Sequence, residues 1–273
     1  MVVIRDTLWV LHPDGNWFSP DGEQWTKSSL PNAINNLAFL DYIVFQDALY
    51  GLGFFEGNIE RYVFKPQVYK SSNLLYWDLL TEHSNLPHRF FYHPFVFGDK
   101  IWILGGEDTS QQYEDLWSSS DGIHWTQESL HLSCGKRSSS QIISAFGKLF
   151  LLNNDVWSST NGLQWTIETS EILKGESLFG YSAVVFDKKI WLIGCNRNGN
   201  FTSEVLASSD GKNWEALDAP WSPRGGVATA VFKNKIYITG GKFGGLEANN
   251  HTTRFEYSND VWVLEKIMEE GSK

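Results

Sequence analysis

The strongest constraint on this chain is an internal repeat. Ser119-Ser120-Asp121-Gly122-Ile123-His124-Trp125 recurs as Ser19-Pro20-Asp21-Gly22-Glu23-Gln24-Trp25, Ser159-Thr160-Asn161-Gly162-Leu163-Gln164-Trp165 and Ser208-Ser209-Asp210-Gly211-Lys212-Asn213-Trp214. Ser71-Ser72-Asn73-Leu74-Leu75-Tyr76-Trp77 is a degenerate copy. The five Trp stand 52, 48, 40 and 49 residues apart. A period of this size marks units that cannot bury their own faces and must stack on copies of themselves.

A second element alternates with the first: an apolar run, a short polar turn, then an aliphatic–aromatic pair. Its six copies are Ile4 to Trp9, Phe45 to Tyr50, Phe97 to Trp102, Phe146 to Phe150, Phe186 to Trp191 and Phe232 to Tyr237. Each repeat therefore reads as four short strands, rich in β-branched and aromatic residues and punctuated by Gly, Asn and Asp. Strand a is the apolar run, b the aliphatic–aromatic run, c the Asp-Leu-Trp-Ser type, and d begins at the Trp. In the Asp-Gly turns, Asp, Asn and Gly suit the positive φ that a tight hairpin needs. Four-stranded units that must cover both faces pack radially. The expectation is an all-β, six-bladed β-propeller of four-stranded antiparallel blades. As one domain over 1–273, its blades fall at about 1–30, 31–82, 83–130, 131–170, 171–220 and 221–273. Strand c of the last repeat ends near Leu264, so blade six is expected to be incomplete or finished by residues 265–270, with non-covalent closure.

Composition narrows the function classes. With 42% hydrophobic and 15% aromatic residues the chain is not disordered. Two cysteines, Cys134 and Cys195, do not make a disulfide scaffold. A net charge of −10 opposes nucleic-acid binding, and no apolar run is long enough to predict membrane insertion. The first residues do not read as a signal peptide, which predicts a cytoplasmic protein unless a leader was removed. A monomer is expected. About ten of the 13 Trp fall at repeat positions, so packing explains most of the aromatic excess.

The sequence resembles the kelch-type propellers, the group that includes the galactose oxidase central domain and sialic-acid mutarotases. The residues that carry the resemblance are Gly105-Gly106 and Gly240-Gly241 after strand b, the late Asn259-Asp260-Val261-Trp262-Val263 strand, and an Arg before strand a at 89, 137 and 224. The Ser-x-Asp-Gly-x-x-Trp turns are similar to a shortened Asp-box of sialidase-type propellers. Four blades depart from the kelch pattern, carrying His12-Pro13, Gly51-Leu52, Asn153-Asn154 and Gly194-Cys195 in place of the double Gly.

In such blades the a–b and c–d turns share one rim, and the b–c and d–a connections share the other. The second set is long and varied here: Phe54 to Tyr62, Glu107 to Glu114, Asn196 to Thr202 and Lys242 to Phe255. This face is the expected binding face. Arg89, Arg137 and Arg224 are candidates for an anion clamp, because guanidinium grips carboxylates bidentately. The alternative is that each pins loops through carbonyls or local acids. Trp221 lies outside the period in a Pro-flanked loop and is the candidate stacking aromatic. Glu107, with Asp108, and the pair Glu56/Glu60 are candidate loop acids. His83, His88 and His93 fit no zinc spacing, so no metal and no cofactor is expected. No catalytic residue is assigned. The reading is a non-catalytic propeller that binds a protein or a glycan. The alternative is a sugar-active enzyme resembling sialic-acid mutarotases or sialidases, using the three arginines and a loop carboxylate such as Glu107.

Overall fold

Two kinds of turn recur through the blades. The a–b hairpins are two-residue loops that need left-handed backbone. Arg5-Asp6, Gln46-Asp47, Asp187-Lys188 and Lys233-Asn234 all have positive φ at both positions, as do Phe146-Gly147. The Ser-x-Asp-Gly turns are built differently. They are six-residue c–d connections, and in each only the glycine is left-handed (Gly22, Gly122, Gly162, Gly211). The Asp carboxylate organises them: Asp121 Oδ1 accepts the N–H groups of Ile123 and His124 at 2.8 and 2.9 Å. The Ser119 hydroxyl accepts the Gly122 N–H at 2.8 Å. Asp21, Asn161 and Asp210 repeat the pattern. The Asp is there as a local acceptor, and positive φ is left to its glycine neighbour.

The computed structural model describes residues 1–12, 15–28, 38–58, 61–244 and 255–266. Five four-stranded antiparallel sheets run a-b-c-d in chain order. Blade one is Val2–Ile4, Thr7–Val10, Trp17–Ser19 and Thr26–Lys27. Blade two is Ala38–Phe45, Ala48–Asn58, Arg61–Ser71 and Asp78–Thr81. Blade three is Phe95–Phe97, Lys100–Leu104, Leu116–Ser119 and Thr126–Ser129. Blade four is Gln141–Ala145, Lys148–Leu152, Val156–Ser159 and Thr166–Thr169. Blade five is Ser182–Phe186, Lys189–Ile193, Val205–Ser208 and Glu215–Leu217. Blade six has Gly225–Phe232, Lys235–Phe243 and a strand c in two pieces, Glu256–Tyr257 and Val261–Glu265. A small sheet of Leu178–Phe179, Asn196–Arg197 and Asn200–Phe201 caps blade five. No helix occurs among the described residues.

Core packing follows the ring. Among the described residues there are six apolar clusters, and each spans one blade–blade interface. Between blades four and five, Phe150, Leu152 and Val156 meet Tyr181, Ile190 and Leu192. The cluster that closes the ring joins Leu8 of blade one to Ala230, Phe232 and Tyr237 of blade six. Tyr237 Oη donates to the Asp21 carbonyl and Lys233 Nζ to the Pro20 carbonyl. Among the described residues blade one keeps its four strands, from residues 2–27, and lends none to blade six, so the contacts seen between the two are packing and hydrogen bonds. Residues 267–270, expected to finish blade six, lie outside the described residues, as does most of the Lys242 to Phe255 loop.

One loop expectation is corrected. The segment Phe54 to Tyr62 is a continuation of strands b and c of blade two, in register to Asn58↔Arg61. Aromatic and β-branched residues on both arms (Phe54, Phe55, Tyr62, Val63, Phe64) favour pairing over a loop. The side chains of Glu56 and Glu60 lie outside the described residues.

Candidate functional site

The three candidate arginines occupy equivalent places and do the same thing. Arg89 sends both terminal nitrogens to Asp115 at 2.7 and 3.1 Å, and donates to the carbonyls of Gly105 and Pro87. Arg137 grips Asp155 at 2.6 and 2.8 Å and donates to the Cys134 carbonyl. Arg224 grips Asp260 at 2.6 and 3.0 Å and donates to Ser222 and Gly240. Each aspartate also accepts an indole N–H two residues on, from Trp117, Trp157 and Trp262. The Arg sits before strand a, its carbonyl acceptor after strand b or in its own loop, and the Asp before strand c. One guanidinium thus ties together the loop ends of one blade. The bidentate face of each is taken by a carboxylate of its own blade. Arg224 heads the partners that hold the Asp260 carboxyl down to about 2. Burial pushes the Asp155 carboxyl up, but Arg137 and Trp157 outweigh it and the net shift is downward.

Blade five shows what the unit is for. At the position of Asp115 it carries Glu204, and its arginine comes from the b–c hairpin. Arg197 pairs with Glu204 and, at 2.8 Å, with Glu176. Nothing in the sequence period marks Arg197, because it sits on a different loop from the other three. Blade one has Gly15 at the corresponding position.

The other candidates separate. Trp221 is half-buried in the interface of blades five and six, its ring 5.8 Å from that of Trp262. Glu107 is half-buried on the loop face and accepts the side-chain amide of Gln112 at 3.2 Å, while the same amide group reaches Ser138 at 3.1 Å. Its backbone pairs with Phe90 in both directions, which knits the blade-three loop to strand a. Asp108 accepts from Ser110 and Tyr113, which hold its carboxyl far below the ordinary range. His88 stacks on Phe64 at 3.9 Å and His93 pairs with Asp41 at 3.0 Å. Among the described residues no three His, Cys, Asp or Glu side chains gather as a metal site.

The loop face does hold one feature outside the candidate list. Before strand a or in its first residues, four blades place a left-handed residue: Phe91, Ser139, Gly180 and Gly226. They are linked in pairs around the axis. The Ser139 N–H donates to the Phe91 carbonyl at 2.6 Å and the Gly226 N–H to the Gly180 carbonyl at 3.1 Å. Strands a of neighbouring blades are the ones in mutual contact, so these residues rim the mouth of the central axis. Phe91 is 60% exposed at φ 51°. A bulky side chain there costs about 1–2 kcal/mol, and exposure returns little of it. Reading Arg-Phe-Phe-Tyr at 89–92 against Arg-Ser-Ser-Ser at 137–140 and Arg-Gly-Gly-Val at 224–227 would have flagged it.

Fold and loop face together define a β-propeller whose arginines brace blades and whose axial mouth displays an aromatic. A family model described as the DUF6242 beta propeller domain matches residues 71–183. The solved structure of YjhT aligns over 97% of this chain and 95% of that one, with a TM-score of 0.67 and 12% sequence identity. No curated protein matched the sequence.

Proposed function

We propose that this propeller is a non-catalytic binding module that recognises a protein or glycan through its b–c and d–a loop face, with Phe91 at the centre of the contact. The observation that carries the reading is Phe91 itself, an exposed aromatic held in a left-handed conformation at the axial mouth. Strain of this kind persists where function uses it. Glu107, Gln112 and Ser138 lie on the adjoining loops and supply a carboxylate, an amide and a hydroxyl for a polar rim. The kelch-like double glycines and the Arg before strand a support a kelch-type assignment. The sugar-enzyme alternative loses its main support, because Arg89, Arg137 and Arg224 are each bound to an aspartate of their own blade.

The test compares wild type with Phe91→Gly on a glycan array and in a pull-down. The variant should melt at or above the wild-type temperature, since the strain is relieved, and should lose the bound partner by about tenfold or more. A partner retained at full strength by Phe91→Gly rejects the assignment.

A further inference from the structure

Among the described residues, blade six differs from the other five at its outer edge. In blades one to five, strand c pairs with a strand d; among the described residues, Val261–Glu265 pairs only with strand b. Val261 and Val263 are 42% and 46% exposed, whereas the equivalent Leu116 and Ser118 of blade three are 0% and 1% exposed. Among the described residues the interface beside them also lacks a wedge. After strand d, the chain of blade three wedges Leu132 into the next interface, blade four wedges Ile172, and blade five wedges Ala219 and Trp221. The wedge is fixed by its backbone: the N–H of Leu132 donates to the carbonyl of Glu114, and that of Ile172 to Asn154, each the residue before the strand-c Asp. In blade six the corresponding residue is Asn259, which lines an open groove of about 600 Å³ with Val261, Thr239, Ala228 and, from blade one, Trp17 and Trp25. The register Trp17↔Lys27 puts both of these Trp on the blade-one face that meets blade six.

The intact blades specify what fits. Strand d of blades three, four and five carries a glutamate bound to the first lysine of strand b: Glu128 to Lys100, Glu168 to Lys148, Glu215 to Lys189. The wedge follows four residues later, at Leu132, Ile172 and Ala219. Blade six has the lysine, Lys235, held at 3.0 Å by the exposed Glu265 of strand c.

We propose that the outer edge of Val261–Glu265 and the adjoining groove dock an extended segment of a partner protein, with a glutamate four residues before an aliphatic residue. The segment adds as the fourth strand of blade six by main-chain pairing. Its glutamate takes Lys235, and its aliphatic side chain enters the groove against Val261 and Trp17. The groove reaches the axial rim at Gly226, but Phe91 does not line it.

The probe is a labelled heptapeptide with the chain's own 126–132 sequence, Thr-Gln-Glu-Ser-Leu-His-Leu, titrated by fluorescence anisotropy against the full chain. Saturable binding is expected, weakened about tenfold by Val261→Asp or Lys235→Ala, and by replacing the last Leu of the peptide with Asp. Both protein substitutions are at exposed or half-buried positions, and a melting curve verifies folding. Phe91→Gly should leave peptide binding unchanged, so this proposal and the axial-mouth reading fail separately. No saturable binding, or binding indifferent to Val261→Asp, overturns the docking edge. Binding that appears only after residues 267–273 are removed assigns the groove to the chain's own end and overturns it equally.

Discussion

Replacing Arg89 by Met separates a bracing arginine from a ligand-binding one. The Arg89 side chain is 1% exposed and that of its partner Asp115 is 11% exposed. Met keeps the stem's apolar packing, so the change chiefly removes charge and donors. A buried ion left without its partner costs about 3–5 kcal/mol. The carbonyls of Gly105 and Pro87 also lose a donor. Total stability of a folded domain is about 5–15 kcal/mol, so the substitution removes a large share of it. For a chain of this size each kcal/mol shifts the midpoint by about 2–4 °C, which gives a drop of about 6–20 °C. The assay is thermal unfolding by near-ultraviolet circular dichroism, where the many Trp report. Arg224→Met should cost less, because the Asp260 side chain is 37% exposed and water can take over part of its solvation. The double change Arg89→Met with Asp115→Leu should recover part of the loss, since it removes the orphaned charge while stranding the Trp117 indole N–H. The refuting result is an Arg89→Met protein that melts within about 2 °C of wild type yet no longer binds its partner. That would make the arginine a ligand group.

Two further outcomes follow from the turns. Gly211 and Gly147 are both left-handed, at φ 74° and 76°, but a Cβ on Gly211 would run into the Phe150 ring while one on Gly147 meets nothing within 4 Å. Gly147→Ala should cost only the conformational penalty of about 1–2 kcal/mol, and Gly211→Ala clearly more by urea denaturation; equal costs would mean that the turn does not seat on the next blade. Asp210 and Asp260 titrate near 2 when folded against an ordinary 3.8. Their contribution is therefore complete above about pH 4 and is lost as pH falls towards 2, so urea midpoints should decline across that window, and Asp210→Asn should shrink the decline.

The repeat made the architecture legible because each blade repeats the same packing problem. Six copies of the a–b element correspond to six sheets, and Trp125 and Trp165 lie buried at interfaces as their periodicity implied. The role of Asp in the c–d turn as an acceptor of backbone N–H groups was not legible, since sequence gives residue type and spacing but not which backbone N–H a carboxylate faces. The arginines show the same limit more sharply. Their period placed them together on the loop face, but a period of one per blade is also what a brace produces. Asp115, Asp155 and Asp260, each at a fixed place before a Trp, were the missing partners. Phe91 was hidden for the opposite reason. It breaks the pattern at a single position among residues that look like ordinary core aromatics.

Ring closure links these points. In blades two to five the chain entering the next interface carries a residue that fills it, so each of those interfaces is completed by the connection itself. The interface of blades six and one has no such connection among the described residues, and its lower half rests on Leu8, Ala230, Phe232 and Tyr237. There the Gly22 turn of blade one packs directly on Tyr237, with no room for a Cβ between them. The upper half, without a wedge, is the groove lined by Trp17 and Val261. Among the described residues, the same topological fact therefore leaves this interface without a wedge and opens the groove lined by Trp17 and Trp25. A segment bound there would complete the interface, and so would raise the stability of the whole ring with the logarithm of its concentration over its Kd. The peptide that docks on blade six should accordingly raise the melting temperature of wild type and leave that of Val261→Asp where it was.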